Sequence, residues 1–127
     1  MNLTFNEEIF KNCRNKEQYF QYIEELVWLG REVQDNGIMA FESEKWQNVT
    51  AYEREAIDLR CEGCPPNRLE FMLTTLLNTS DFTEDEYIKA VLFRVFVIFL
   101  QPGGISETEM KKLLLSHFGI QEYYNRI

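Results

Sequence analysis

The sequence feature that most constrains the fold is an apolar run over residues 90–100, which only Arg94 interrupts. The run is about half of the roughly 20 residues that a membrane-spanning helix needs, so no transmembrane helix is expected. Its β-branched and aromatic residues would also suit a buried strand, but the sequence offers no second strand to pair with it. We therefore predict one helix over residues 84–101, apolar almost all round and enclosed at the centre of a bundle.

The length and composition favour one domain that folds without a cofactor. A chain of 127 residues is long enough for one hydrophobic core but short for two, so we expect a single helical domain over residues 1–127. Hydrophobic residues make up 45% of the sequence, which supplies a core and argues against intrinsic disorder. No cofactor and no metal is expected.

The net charge argues against nucleic acid and membranes as partners. A net charge of -8 repels both nucleic-acid phosphates and anionic lipid headgroups, so no nucleic acid and no direct membrane insertion is expected. A basic surface on another protein is the natural complement. The first residues lack the apolar stretch of a signal peptide, and the three cysteines cannot all pair internally. Both features predict a cytoplasmic protein.

Apolar residues at spacings of three and four predict several further helices. Together with residues 84–101 they predict an all-α fold, an irregular antiparallel bundle of five or six helices. The further predicted helices are residues 16–35, 38–46, 51–62, 66–77 and 107–117. Asn36-Gly37 ends the first, and the second follows after a bend. The apolar face of residues 66–77 consists of Leu69, Met72, Leu73, Leu76 and Leu77. Capping boxes, in which a Ser or Thr precedes a Glu by three residues, mark the helix starts. The boxes are Thr50 with Glu53, Thr83 with Glu86, Ser106 with Glu109 and, as a weaker instance, Thr4 with Glu7.

Cys61 and Cys64 form the motif that most suggests chemistry, Cys-Glu-Gly-Cys. Two thiols at this spacing can cycle as a redox pair or supply half of a zinc site. Zinc needs four ligands, however, and only Cys13 and His117 remain to complete the set. A small metal-binding or redox helical protein is therefore the alternative function, and thiols that pack at a helix end are the simpler interpretation.

Nothing else in the sequence indicates catalysis. His117 is the sole histidine, without an identifiable orienting partner, and the helix macrodipole explains a histidine at a helix end as well. The carboxylates lack calcium-loop spacing, and the glycines do not form a phosphate-binding loop. We therefore expect that the protein is not an enzyme.

Three stretches resemble the cytoplasmic portion of MotA-type flagellar stator subunits. Residues 26–42, Leu-Val-Trp-Leu-Gly-Arg-Glu-Val-Gln-Asp-Asn-Gly-Ile-Met-Ala-Phe-Glu, are similar to the segment after that family's second membrane helix. Residues 54–70, Arg-Glu-Ala-Ile-Asp-Leu-Arg-Cys-Glu-Gly-Cys-Pro-Pro-Asn-Arg-Leu-Glu, are similar to the next stretch, a helix that ends in a Gly turn with Pro soon after. A looser similarity runs from Arg94 through Gln101 and Gly103 to Leu113-Leu114.

The stator resemblance implies a contact with a rotor-switch-like protein. In that family the cytoplasmic part presents charged residues to the rotor switch protein, and one of them is a Glu that matches Glu42. The position of the family's rotor-facing Arg is occupied by Gln34, so the basic role is carried over to Arg31, one helical step earlier. Because this sequence has no membrane helices, the resemblance implies no ion transport.

A second resemblance is to small TerB-like helical modules, in which a Gly-containing turn precedes an acidic helix start. Residues 35–38, Asp-Asn-Gly-Ile, and residues 102–109, Pro-Gly-Gly-Ile-Ser-Glu-Thr-Glu, carry this similarity. That family uses paired acidic residues at such turns. Here only the first turn contains an Asp, and the second follows Gln101.

The sequence therefore predicts a non-catalytic protein-protein interaction module whose acidic surface binds a basic partner. Homodimerisation through an exposed apolar stripe is a further alternative, in which Trp28 and Trp46 would be the anchors unless they lie in the core. The predicted partner-binding residues are Glu42, Glu44, Arg31, Glu24 and Glu25.

Overall fold

The computed structural model describes residues 3–100 and 104–127, except for the side chain of Lys45. Across these residues the chain is helical and contains no strand, so the predicted all-α class is confirmed. The α-helices are α1 (Glu7–Asn12), α2 (Lys16–Asn36), α3 (Ala51–Cys61), α4 (Pro66–Thr79), α5 (Glu84–Phe99), α6 (Glu107–Leu115) and α7 (Ile120–Arg126). Short 3-10 segments lie at Gly37–Glu42, Glu44–Trp46 and Ser116–Phe118.

The described residues form seven α-helices where the sequence predicted five or six. The additional helices α1 and α7 have 6 and 7 residues, which is too short for the apolar spacing to repeat. At the start of α1 the Asn6 side chain accepts a hydrogen bond from the Glu8 amide at 3.2 Å, in place of the predicted box at Thr4. Residues 38–46, predicted as a resumed helix, form 3-10 segments. Residue 101, predicted as the end of the central helix, lies outside the described residues, as do residues 102 and 103, and these three residues take part in the family resemblances.

Three helices begin at the predicted capping boxes. Thr50, Thr83 and Ser106 each accept a hydrogen bond from the backbone amide of the Glu three residues later. The carboxylate of that Glu accepts in return from the amide of the Ser or Thr. Because these pairs satisfy amides that the helix leaves free, they set the starts of α3, α5 and α6.

The central element of the molecule is α5. It packs against α1, α2, α3, α4 and α6, and residues 90–98 are all buried. The backbone of α2 approaches closely at Gly30, where an added Cβ would lie 3.4 Å from a ring carbon of Phe96. The prediction that the apolar run is an enclosed helix is confirmed.

Arg94 is fully buried inside this apolar helix. Its guanidinium donates hydrogen bonds to the carbonyl oxygens of Leu3 (3.1 Å) and Thr4 (2.9 Å) and to the Thr74 hydroxyl (3.2 Å). Burial lowers the pKa of Arg94, because the apolar surroundings disfavour its charged form. The residue that interrupts the apolar run therefore holds the N-terminal segment against α5.

A narrower face of α4 is buried than its sequence predicted. Leu69, Leu73 and Leu77 are buried where α4 packs on α3 and α5. Met72 and Leu76, predicted to lie on the same face, remain 38% and 36% exposed. Each lies one position before a buried leucine and is therefore rotated by about 100° around the helix. The outer face of α4 is apolar but uncovered.

The segment after α2 is fixed by its large apolar side chains. The helix ends as predicted at Gly37, whose φ of 71° lies in the left-handed region that favours glycine. Beyond it, Phe41 and Trp46 are buried and attach residues 37–46 to the core. Trp46 is therefore a core residue, whereas Trp28 on α2 is half-exposed.

Candidate interaction surface

Two of the predicted partner-binding residues are held by ion pairs within the molecule. The Glu24 carboxylate lies 2.9 Å from the Lys111 ammonium group of α6. The Arg31 guanidinium lies 3.5 Å from Glu107 of α6 and 3.9 Å from Asp35 on its own helix. These exposed pairs contribute little stability each. They nevertheless hold the side chains of Glu24 and Arg31 towards α6 and neutralise part of their charge.

Glu42 and Glu44 lie at a different place, on the short segment that follows α2. Both side chains are exposed, and neither forms an ion pair with another described side chain. The negative charge of Glu42 also acts on Cys61 at the end of α3. Glu25 is also exposed on α2. Among the described residues, no hydrogen bond or ion pair joins the two groups of predicted residues.

The same segment exposes two large apolar side chains that the sequence reasoning missed. Ile38 is 53% exposed and Met39 is 69% exposed, immediately before the acidic residues. The sequence predicted these two residues at the start of a resumed helix. The 3-10 segment instead buries Phe41 and leaves Ile38 and Met39 exposed to solvent. Ile38, Met39, Glu42 and Glu44 thus form a mixed apolar and acidic surface, called here the 38–44 surface.

Cys61 and Cys64 lie at the turn between α3 and α4. The amide of Cys64 donates to the Leu59 carbonyl and that of Gly63 to the Arg60 carbonyl, which is the Schellman arrangement around a glycine with φ of 80°. Burial raises the pKa of Cys61, and the charges of Asp58 and Glu42 raise it further. A reactive thiol needs the opposite shift. The turn geometry explains the spacing of the two cysteines.

Cys13 and His117 lie apart from that turn, against α1. The Cys13 thiol donates to the Phe10 carbonyl oxygen at 3.2 Å, and the His117 ring packs on those of Phe5 and Phe10, with centroids 4.8 and 5.6 Å away. In the described part of the chain, no group of three or more His, Cys, Asp or Glu residues is placed to hold a metal. The four proposed zinc ligands are not brought together.

His117 lies just after α6, where burial and the helix end have opposite effects on its pKa. A helix macrodipole at a C-terminus would favour the charged imidazolium and raise the pKa. Burial instead lowers the pKa of His117, against the opposing effect of a contact between its Nδ1 atom and the Leu114 carbonyl oxygen at 2.9 Å. The half-buried ring donates from Nδ1 to the Leu114 carbonyl oxygen, which can only accept.

A buried carboxylate at Glu53 has a structural role. One of its oxygens accepts from the Tyr22 hydroxyl at 2.7 Å, and the other accepts from the Thr50 amide at 3.0 Å. Burial raises the pKa of Tyr22 well above its ordinary value, and the adjacent Glu53 charge adds to the effect. Because both oxygens of Glu53 accept hydrogen bonds, the pair joins α2 to the start of α3.

The molecular surface also contains two open apolar grooves. One, of about 560 Å³, lies beside α6 and α7 and includes Leu113 and Tyr123. The other, of about 520 Å³, lies between α3 and α4. Tyr52 forms part of this second groove, and its hydroxyl donates to the Leu73 carbonyl oxygen at 2.9 Å. Its ring meets that of Phe82 edge-on at 5.9 Å.

No protein-family model matches the chain, and neither a curated protein nor a solved structure matches it. None of the helices in the described ranges combines the length and the apolar character needed to cross a membrane.

Proposed function

We propose that this chain is a non-catalytic helical module that binds another protein through the 38–44 surface. The observation that carries the proposal is the joint exposure of Ile38 and Met39 beside Glu42 and Glu44. Phe41 and Trp46 fix the segment to the core, so it presents this surface without having to order on binding. Large apolar side chains surrounded by charged ones are typical of protein-protein contacts.

The partner that suits this surface is a protein with a basic patch around an apolar pocket. The net charge of -8 attracts such a patch over long range, and Glu42 and Glu44 set its orientation on contact. The stator resemblance supports the same surface, because the Glu that faces the rotor in that family matches Glu42. A rotor-switch-like protein in the cytoplasm is the partner that this resemblance favours.

Charge reversal at the 38–44 surface tests the proposal. The double variant Glu42→Lys with Glu44→Lys should lose its partner in a capture experiment that quantifies bound proteins, while its circular dichroism and melting temperature remain close to wild type. A matched control, Glu7→Lys with Glu84→Lys, changes the net charge equally at exposed positions on α1 and α5. If both variants capture the same proteins as wild type, the 38–44 surface is not the interface.

The thiol alternative has a separate test. Purified protein should contain no stoichiometric zinc by elemental analysis, and titration under native reducing conditions should find the exposed Cys61 as a free thiol. Stoichiometric zinc, or a reversible disulfide between Cys61 and Cys64, would favour the metal or redox function instead.

A further inference from the structure

We propose that the groove between α3 and α4 binds an amphipathic helix of a partner protein, one that carries basic residues beside its apolar stripe. This inference rests on the proposed function in treating the chain as a binding module, but it concerns a second surface.

The α4 wall of the groove consists of apolar side chains that the core does not cover. Phe71, Met72 and Leu76 of α4 are 71%, 38% and 36% exposed. The buried Tyr52 of α3 and the half-buried Phe82 also line the groove. Exposed apolar side chains are common singly, but a contiguous patch around a concave surface marks a binding site.

The groove is long enough to receive a helix. The Tyr52 hydroxyl donates to the Leu73 carbonyl oxygen, so Tyr52 adds no unpaired polar group to the groove. Phe82 packs edge-on against the Tyr52 ring. From Phe71 to Ser80 the α4 wall extends about 14 Å, which matches two to three turns of a bound helix. A helix of that length can place side chains at i, i+3, i+4 and i+7 in one groove.

The charge beside the groove selects the partner. Glu55 is the charged residue that lines it. Its side chain is exposed and forms no ion pair with a described residue. A second copy of this chain would bring the same net charge of -8 and would be repelled. A lysine or arginine beside the apolar stripe of a partner helix would instead meet Glu55.

A synthetic helix provides the probe. It is a fluorescein-labelled peptide of about five turns, with leucines at i, i+3, i+4 and i+7 and lysines at the flanking positions. Two control peptides have the same length: one replaces every lysine by glutamate, and the other keeps the composition but scrambles the leucine spacing. Fluorescence anisotropy measures the Kd of each peptide for wild-type protein and for the variants below.

Phe71→Ala should raise the Kd of the lysine peptide by about tenfold or more, because Phe71 is the most exposed aromatic side chain that lines the groove and large aromatic side chains dominate affinity. Glu55→Lys should raise it a few-fold through lost complementarity. Ile120→Ala on α7 is the matched apolar control, since Ile120 is 68% exposed. Glu7→Lys on α1 is the matched charge control. Neither control should change the Kd, and the glutamate and scrambled peptides should bind at least tenfold more weakly than the lysine peptide.

Several results would overturn the groove as a helix-binding site. One is equal binding of the lysine and scrambled peptides, and another is equal loss of affinity in Ile120→Ala and Phe71→Ala. Concentration-dependent dimerisation in light scattering that Phe71→Ala abolishes would show a second copy as the occupant. The double variant Glu42→Lys with Glu44→Lys should still bind the peptide. Failure at the groove and failure at the 38–44 surface therefore remain distinguishable.

Discussion

Two neighbouring helices, α4 and α5, are both rich in apolar residues yet lie in opposite environments. Helices on several sides enclose α5, so nearly all its apolar side chains are buried. In α4 the buried leucines recur every four residues, and Phe71 between them is 71% exposed. Apolar content predicts that both segments are helical. The number of neighbouring helices then decides whether an apolar side chain stabilises the fold or remains free for a partner.

The largest difference in the free energy of unfolding is expected between two positions on α4. Leu73 is fully buried and Leu76 is 36% exposed, although both are leucines on the same helix. Leu73→Ala should lower the free energy of unfolding by about 2 to 5 kcal/mol, because it removes buried methyl groups and leaves a cavity. Leu76→Ala should lower it by less than about 1 kcal/mol. Urea denaturation of both variants checks this, and equal losses would contradict the division of α4 into a buried and an open face.

A smaller difference is expected at the start of α5. Thr83 accepts a hydrogen bond from the Glu86 amide at 3.2 Å, whereas the N-cap residue of α4, Pro65, makes no side-chain cap. Thr83→Ala should lower the free energy of unfolding by about 1 kcal/mol. Thr75→Ala, on the open face of α4, should change it by less than about 0.5 kcal/mol. Thermal denaturation of the two variants side by side would disprove the capping role if Thr83→Ala melted as wild type does.

A pH dependence should belong to the buried side of the molecule alone. Burial lowers the pKa of His117 from 6.5, and the nearby Arg94 charge lowers it further. The unfolded chain therefore binds a proton at a higher pH than the folded chain does. Stability is complete above about pH 6.5 and is lost as the pH falls through the folded-state value.

Melting temperatures from about pH 7.5 to about pH 5 measure this effect, which is the smallest expected here because one group titrates. Wild-type protein should lose more stability over that interval than His117→Phe, which keeps an aromatic ring beside Phe5 and Phe10. The open face of α4 carries no histidine, because His117 is the only one in the chain. Parallel pH profiles for the two proteins would show that His117 is protonated equally in both states.

The sequence predicted the enclosed part of the fold well because its signals were local and strong. The capping boxes at Thr83 and Thr50 gave two helix starts correctly, and the apolar run of residues 90–100 gave the central helix. Arg94 looked like an interruption of that run, and its partners at Leu3 and Thr4 could not be predicted because they are about 90 residues away in the chain. The short helices α1 and α7 were missed because they contain too few turns to show periodicity.

The surfaces were harder to predict than the core. The exposure of Glu42 and Glu44 could be predicted from their charge. The exposure of Ile38 and Met39 depends on a 3-10 segment that the sequence pattern did not predict. Glu24 looked equally available, yet Lys111 on a distant helix pairs with it. Spacing also cannot show which of several leucines on α4 a neighbouring helix covers.

If the apolar outer face of α4 is open to a partner and is not part of the core, it should add little to the stability of the fold. The most direct measurement is the free energy of unfolding of Phe71→Ala beside that of Phe96→Ala, whose side chain is fully buried on α5. We predict that Phe71→Ala lies within about 0.5 kcal/mol of wild type and that Phe96→Ala loses about 3 to 5 kcal/mol. A loss of more than about 2 kcal/mol in Phe71→Ala would contradict the claim, because it would show that Phe71 belongs to the core.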